Sequence, residues 1–189
     1  QTATVGITGP ATATAGTTIQ LPILGSSPGN AVAFQLTPVL PGSAGTPTIT
    51  AGNATAAAGK SVTCTSICVA FGMNQTVIAN GEWLHMSVPI PAGVSGNITF
   101  SLSGVVVVDK NGSVIPVNVN PPLSVSVSSL SKCDVNGDGQ TNKTDADIVT
   151  ATVNGTTSTP YDLNGDGKTT VGDVQIVVNA SLGLGCAAI

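Results

Sequence analysis

Apolar and polar residues alternate along short runs from Thr4 to Val127, and Gly, Pro and Asn interrupt the runs at close intervals. Alternation with a period of two marks an extended segment with one face on a core and the other toward solvent. It predicts strands over residues 4–8, 17–24, 31–40, 46–51, 61–72, 82–90, 97–108 and 113–127. Short strands with turn residues between them suggest a sandwich or jelly roll. Asp109-Lys110-Asn111-Gly112 is the clearest hairpin turn, because Asn-Gly readily takes the positive φ angles a tight turn needs. Pro121-Pro122 offers no N–H to a ladder, so the last run breaks there or lies along an edge.

Beyond Val127 the pattern changes. Residues 129–132 read as a short linker, after which Asp and Asn cluster ahead of stretches with helical spacing. Val174, Val177, Val178 and Leu182 share one face of a helix over 171–182, and Ile148 with Val153 hints at another. The expected organisation is a β domain over 1–128, a linker over 129–132 and a small α-helical domain over 133–189.

Composition and charge sharpen this division. Only 7% of the 189 residues are charged and the mean hydropathy is +0.38, yet Val, Ile and Thr abound, which favours an ordered β body over disorder. Residues 1–130 hold Glu82 and Asp109 against Lys60 and Lys110 and are neutral. Residues 131–189 hold seven Asp against Lys132, Lys143 and Lys168, so the whole net charge, 3 − 7 = −4, sits there. The chain has no Arg and no basic patch, which argues against nucleic acid or an anionic membrane as partner. No apolar run approaches the roughly 18–20 residues that span a bilayer. The chain opens on Gln1 with no leader-like segment, which reads as a mature exported form. Four cysteines in a Ser/Thr/Gly-rich chain fit an oxidising compartment, so the expected location is extracellular, the cell surface included.

The acidic segment carries the strongest chemistry. Asp134-Val135-Asn136-Gly137-Asp138-Gly139, ending at Asp145, recurs 28 residues later as Asp162-Leu163-Asn164-Gly165-Asp166-Gly167, ending at Asp173. Each is a twelve-residue loop with oxygen-bearing side chains at positions 1, 3, 5 and 12 and Gly at position 6. Calcium takes about six to eight hard oxygen ligands, and a chain supplies them by wrapping round the ion. The sharp turn at position 6 suits Gly. Position 7 gives a backbone carbonyl, here from Gln140 or Lys168, and position 9 is Asn142 or Thr170. Two calcium ions are therefore expected, held by Asp134, Asn136, Asp138, Gln140 and Asp145, and by Asp162, Asn164, Asp166, Lys168 and Asp173. Without cations the clustered carboxylates repel one another, so metal is expected to stabilise this domain.

These tandem loops, each closed by Asp and followed by a helix, resemble a dockerin over residues 133–185. The resemblance implies a surface that docks on a cohesin, with specificity at loop positions 10 and 11. Those positions are Lys143-Thr144 and Val171-Gly172, and they differ between the repeats. The β part in turn resembles a cohesin module through the run 17–40, a strand with Phe34, the Gly81-Glu82-Trp83-Leu84 strand and the hairpin around Lys110-Asn111-Gly112. The fold class expected is mainly β: a cohesin-like β-sandwich or jelly roll plus a small dockerin-like domain with two calcium loops.

Cys133 and Cys186 flank the calcium loops, and a bond between them would clasp that domain. Cys64 and Cys68 are four apart; in a straight strand their Cα atoms would stand about 13 Å apart, too far to bond. Either the segment turns back on itself or these are free thiols, and a small disulfide-closed turn is favoured. Trp83 and His85 fall on one face of their strand by alternation, opposite Leu84, Met86 and Val88, either as an exposed binding patch or with the Trp covered by a loop or by the second module. Catalysis has little to draw on, since His85 is the only His and the β domain holds just two carboxylates. The expectation is a non-catalytic secreted protein that attaches to another protein, a second copy of itself included, in the manner of extracellular polysaccharide-degrading systems. A carbohydrate-binding module with a calcium-stabilised appendage and a structural cell-surface protein are the alternatives.

Overall fold

Alternation is cleanest in β3 (Thr18–Ser26), where Ile19, Leu21 and Ile23 are buried while Thr18, Gln20 and Leu24 are exposed. That segment is a central strand in the computed structural model of the chain, which describes residues 2–187. Two compact units divide the chain, Gln1–Ser128 and Ser129–Ile189.

The first unit is a two-sheet sandwich. One sheet has the order β11-β1-β3-β8-β5, formed by β1 (Ala3–Ile7), β3, β5 (Thr48–Ala51), β8 (Gly81–Pro89) and β11 (Val117–Val119). The other has the order β2-β12-β9-β4-β7-β6, formed by β2 (Thr12–Thr14), β4 (Ala31–Val39), β6 (Ser61–Cys64), β7 (Cys68–Phe71), β9 (Gly96–Asp109) and β12 (Leu123–Ser128). β10 (Val114–Ile115) pairs with β9, and a short helix, α1 (Asn53–Ala57), follows β5. Leu21, Leu36, Trp83, Leu84, Met86 and Phe100 lie fully or almost fully buried between the sheets. Each such side chain contributes about 1.5–3 kcal/mol by leaving water.

Two predicted runs divide. The run 61–72 folds back as the β6–β7 hairpin, with Cys64 directly opposite Cys68 in the ladder and bonded to it, their Cα atoms 4.0 Å apart. The run 113–127 becomes β10, β11 and β12, cut at Pro116 and at Pro121-Pro122, where the missing N–H groups end the ladders. Trp83 also departs from simple alternation. The register slips between Leu24 opposite Glu82 and Ile23 opposite Leu84, and this bulge turns Trp83 inward while His85 stays outside. Its ring stacks on Phe34 at 4.9 Å, and its Nε1–H donates to the Ala79 carbonyl at 2.9 Å. Neither expectation for Trp83, an exposed patch or an outer-face ring under a cover, matches the fold: the ring packs in the core with Leu84 and Met86.

The second unit holds α2 (Lys143–Val153) and α3 (Val171–Ser181) around a small core of Cys133, Ala146, Val149, Ile176 and Val177. So few buried side chains rarely hold a unit of this size unaided. The Cys133–Cys186 disulfide, spanning 53 residues, staples its two ends.

Candidate functional site

The two Asp/Asn loops have the same internal wiring. In the first, Asp134 Oδ1 accepts from the N–H groups of Gly137 (2.9 Å) and Asp138 (3.1 Å), and Oδ2 accepts from Gly139 (2.8 Å). In the second, Asp162 accepts from Gly165 (2.7 Å), Asp166 (3.0 Å) and Gly167 (2.7 Å) through the corresponding oxygens. Position 3 repeats as well: the Asn136 and Asn164 amide oxygens each accept from the N–H of position 5 at 2.9 Å. Position 5 then accepts from the N–H of position 7, Gln140 (2.8 Å) or Lys168 (2.9 Å). The wrap depends on glycine at positions 4 and 6, where φ is 73° and 88° in the first loop and 82° and 83° in the second. The sequence pattern pointed to position 6 alone.

Asp145 and Asp173 close the loops from inside the fold, both fully buried. Asp145 Oδ1 accepts from Val135 (3.0 Å) and Asn136 (3.2 Å), and its Oδ2 from Asn142 (2.9 Å). Asp173 repeats this with Leu163 (2.8 Å), Asn164 (3.2 Å) and Thr170 (2.7 Å). Burial pushes the Asp173 carboxyl up, but the N–H groups of Thr170, Leu163 and Asn164 and the Thr170 hydroxyl outweigh it and hold it below the usual carboxylate value. Position 12 is thus also the third residue of each helix, in a capping box with position 9 as the N-cap. Asn142 and Thr170 spend their side-chain oxygens on the N–H groups of Thr144 (2.7 Å) and Gly172 (3.1 Å). That helix-capping use of position 9 was readable as Asn/Thr-x-x-Asp ahead of an apolar run, and the loop pattern masked it.

Among the described residues, no three His, Cys, Asp or Glu side chains converge as a metal cluster. A count of acids alone understates such a loop, because an amide oxygen and a backbone carbonyl complete its donor set. The donors are all oxygen, as a hard divalent cation requires, and ten hydrogen bonds recur in register across two loops. On donor chemistry the residues fit calcium.

Of the residues expected to face a partner, Lys143, Thr144 and Val171 are exposed and Gly172 is half-buried. Lys143 is paired with Asp147 one helical turn on, at 2.6 Å. Val171 is 75% exposed, and Leu182 and Leu184 at the other end of α3 are comparably open.

The sandwich holds a second feature that the sequence reading missed. On the outer face of β4, β7 and β9, a depression of about 160 Å³ is lined by Ala33, Val69, Phe71, Val106 and Val108 with Gln35. Phe71 is 49% exposed and Val69 38%. Apolar residues at alternate positions of β7 on both faces were the available signal. On the opposite sheet His85 bonds Glu82 through Nδ1 (2.7 Å) and Gln20 through Nε2 (2.8 Å), and Ser87 donates to the same Gln20 oxygen (2.5 Å). These polar groups satisfy one another on an open sheet surface.

Comparison with solved structures bears on the sandwich. A non-cellulosomal cohesin from the archaeon Archaeoglobus fulgidus superposes with a TM-score of 0.57 at 15% identity, covering 73% of this chain and 99% of that one. The sandwich shares the cohesin fold. A type I cohesin–dockerin complex from Clostridium thermocellum matches with TM-score 0.57 and 15% identity over 68% of this chain and 95% of that one. A cohesin module from a Clostridium perfringens family 33 glycoside hydrolase matches with TM-score 0.56 and 8% identity over 68% and 98%. Those shares of the chain are close to that of the first unit, 128 of 189 residues. No family model matches the chain, and no curated protein matches it.

Proposed function

We propose that this chain is a secreted, non-catalytic attachment protein. Its helical unit binds two calcium ions, and its cohesin-like sandwich docks a partner on the outer face of β4, β7 and β9. The carrying observation is that apolar face, with Val69 and Phe71 open to solvent on a sandwich of cohesin fold. Isolated apolar residues on a surface mean little, whereas a contiguous patch marks a contact. The occupant is a calcium-loop helical unit of the kind this chain itself carries, from a second copy. Such a unit presents Val171, Leu182 and Leu184, and the neutral sandwich does not repel its negative charge. The C. thermocellum neighbour is a cohesin in complex with a dockerin, which is the same kind of pairing.

Calcium, when bound, would supply the positive charge that lets three Asp side chains per loop stand close together. Asp134, Asn136, Asp138, the Gln140 carbonyl and Asp145 would hold one ion; Asp162, Asn164, Asp166, the Lys168 carbonyl and Asp173 the other. The two disulfides support an oxidising location. No helix among the described residues is long and apolar enough to cross a membrane. Sugar binding draws little support, because Phe34, Trp83 and Phe100 are core side chains and Phe71 is a single open ring, not a row of aromatics. Calorimetric titration of the EDTA-dialysed chain with calcium tests the metal half: two ions per chain are expected, and no binding heat would end that reading.

A further inference from the structure

Each loop carries Asn followed by Gly at positions 3 and 4, as Asn136-Gly137 and Asn164-Gly165. An asparagine is chemically least protected there, since the next amide nitrogen can attack its side-chain carbonyl carbon. Gly neither shields that nitrogen with a Cβ nor restricts its approach. Both asparagines are exposed. In the closed loop, however, every reacting group is tied. Gly137 N–H donates to Asp134 Oδ1 (2.9 Å), Asn136 Oδ1 accepts from Asp138 N–H (2.9 Å), and Asn136 Nδ2 donates to Asp138 Oδ2 (2.9 Å). The second loop ties Gly165 and both ends of Asn164 in the same way, at 2.7, 2.9 and 3.1 Å. Attack requires the Gly nitrogen to leave its aspartate and the Asn amide to turn, which means an opened loop.

We propose that Asn136 and Asn164 are self-modification sites, converted to aspartate or isoaspartate when their loops open and withheld when calcium closes them. This rests on the reading of the loops as calcium sites. In the step, the Gly137 nitrogen bonds to Asn136 Cγ, the Cγ–Nδ2 bond breaks, and Nδ2 leaves as ammonia with the proton lost by the Gly nitrogen. Water then opens the five-membered imide at either carbonyl. The chain loses ammonia, gains water and ends one dalton heavier. Opening toward isoaspartate places an extra methylene in the main chain between positions 3 and 4. Gly137 N–H is then displaced from Asp134, and the reacted loop no longer closes. A helical unit deprived of calcium therefore loses, irreversibly, each site whose imide opens toward isoaspartate.

Asn111-Gly112, exposed in the turn between β9 and β10 of the other unit, is the internal reference. The oxidised full-length chain is held in mildly alkaline buffer with calcium or with EDTA, and its five Asn-Gly steps, at Asn80, Asn111, Asn136, Asn154 and Asn164, are followed residue by residue by fragmentation mass spectrometry. In EDTA, Asn136 and Asn164 gain one dalton at least as fast as Asn111. Calcium at 100 times its Kd slows both by about a hundredfold, because only the open loop reacts, and leaves Asn111 unchanged. Intact Asn136 and Asn164 in EDTA beside a converted Asn111 would overturn the proposal. Equal conversion in both buffers overturns the calcium guard. A calcium titration of the same sample then separates a failed guard, with two ions bound, from a failed calcium reading, with none.

Discussion

Lys60 is the clearest single residue at which the sandwich carries a cost. It is 6% exposed, and its Nζ donates to the Asn74 carbonyl (3.0 Å) and side-chain oxygen (2.8 Å) but to no carboxylate among the described residues. Burial holds its amine below the ordinary value of 10.5. Between the folded and unfolded values the unfolded chain binds more protons, so stability rises with pH across that window. The sandwich is expected to gain melting temperature as pH climbs toward 10.5, and Lys60→Met to remove that gain. Thermal melts of both proteins over alkaline pH give the difference directly. Gly25 makes the opposite kind of demand. A Cβ there would stand 2.0 Å from the Trp83 ring, in a packed core that cannot yield. Gly25→Ala is expected to cost the sandwich about 1–3 kcal/mol, read from its denaturant midpoint.

At the scale of elements, β7 does two jobs. Cys68 and Ala70 fill the core while Val69 and Phe71 face out. Replacing an exposed apolar residue rarely moves stability by more than about 0.5 kcal/mol. Phe71→Ser is therefore expected to leave the melting temperature in place yet weaken partner binding by about tenfold or more, as for a contact worth over about 1.4 kcal/mol. Calorimetry of the variant against the wild type checks both halves. Strand existence was legible where alternation was strict, as in β3, because burial of one face writes itself into every second residue. The β6–β7 fold-back was half legible, through the spacing of Cys64 and Cys68. The Trp83 bulge was not, since it arises from Gly25 and Phe34, which make room for the ring from elsewhere in the chain. β2 and α1 were missed for a related reason: Thr12–Thr14 is too short to show a period, and α1 has one turn and no side-chain cap. In the loops the ligand-type positions were legible from Asp and Asn spacing. The backbone N–H groups that engage each carboxylate were not, because any residue but Pro supplies one.

The whole chain has two separate cores and two separate sources of stability. The sandwich rests on sheet burial, whereas the helical unit has a small core, a disulfide and the loops. Calcium is accordingly expected to raise only the melting transition of the helical unit, by about 2.7 kcal/mol per ion at 100 times Kd, while the sandwich transition stays fixed. Differential scanning calorimetry with calcium and with EDTA separates the two. The measurement that tests the attachment account most directly uses residues 1–128 and 129–189 as separate proteins, titrated together by calorimetry with calcium and then with EDTA. The account predicts binding in calcium, lost in EDTA and weakened by Phe71→Ser. Absence of binding in calcium, with both pieces folded, would contradict it.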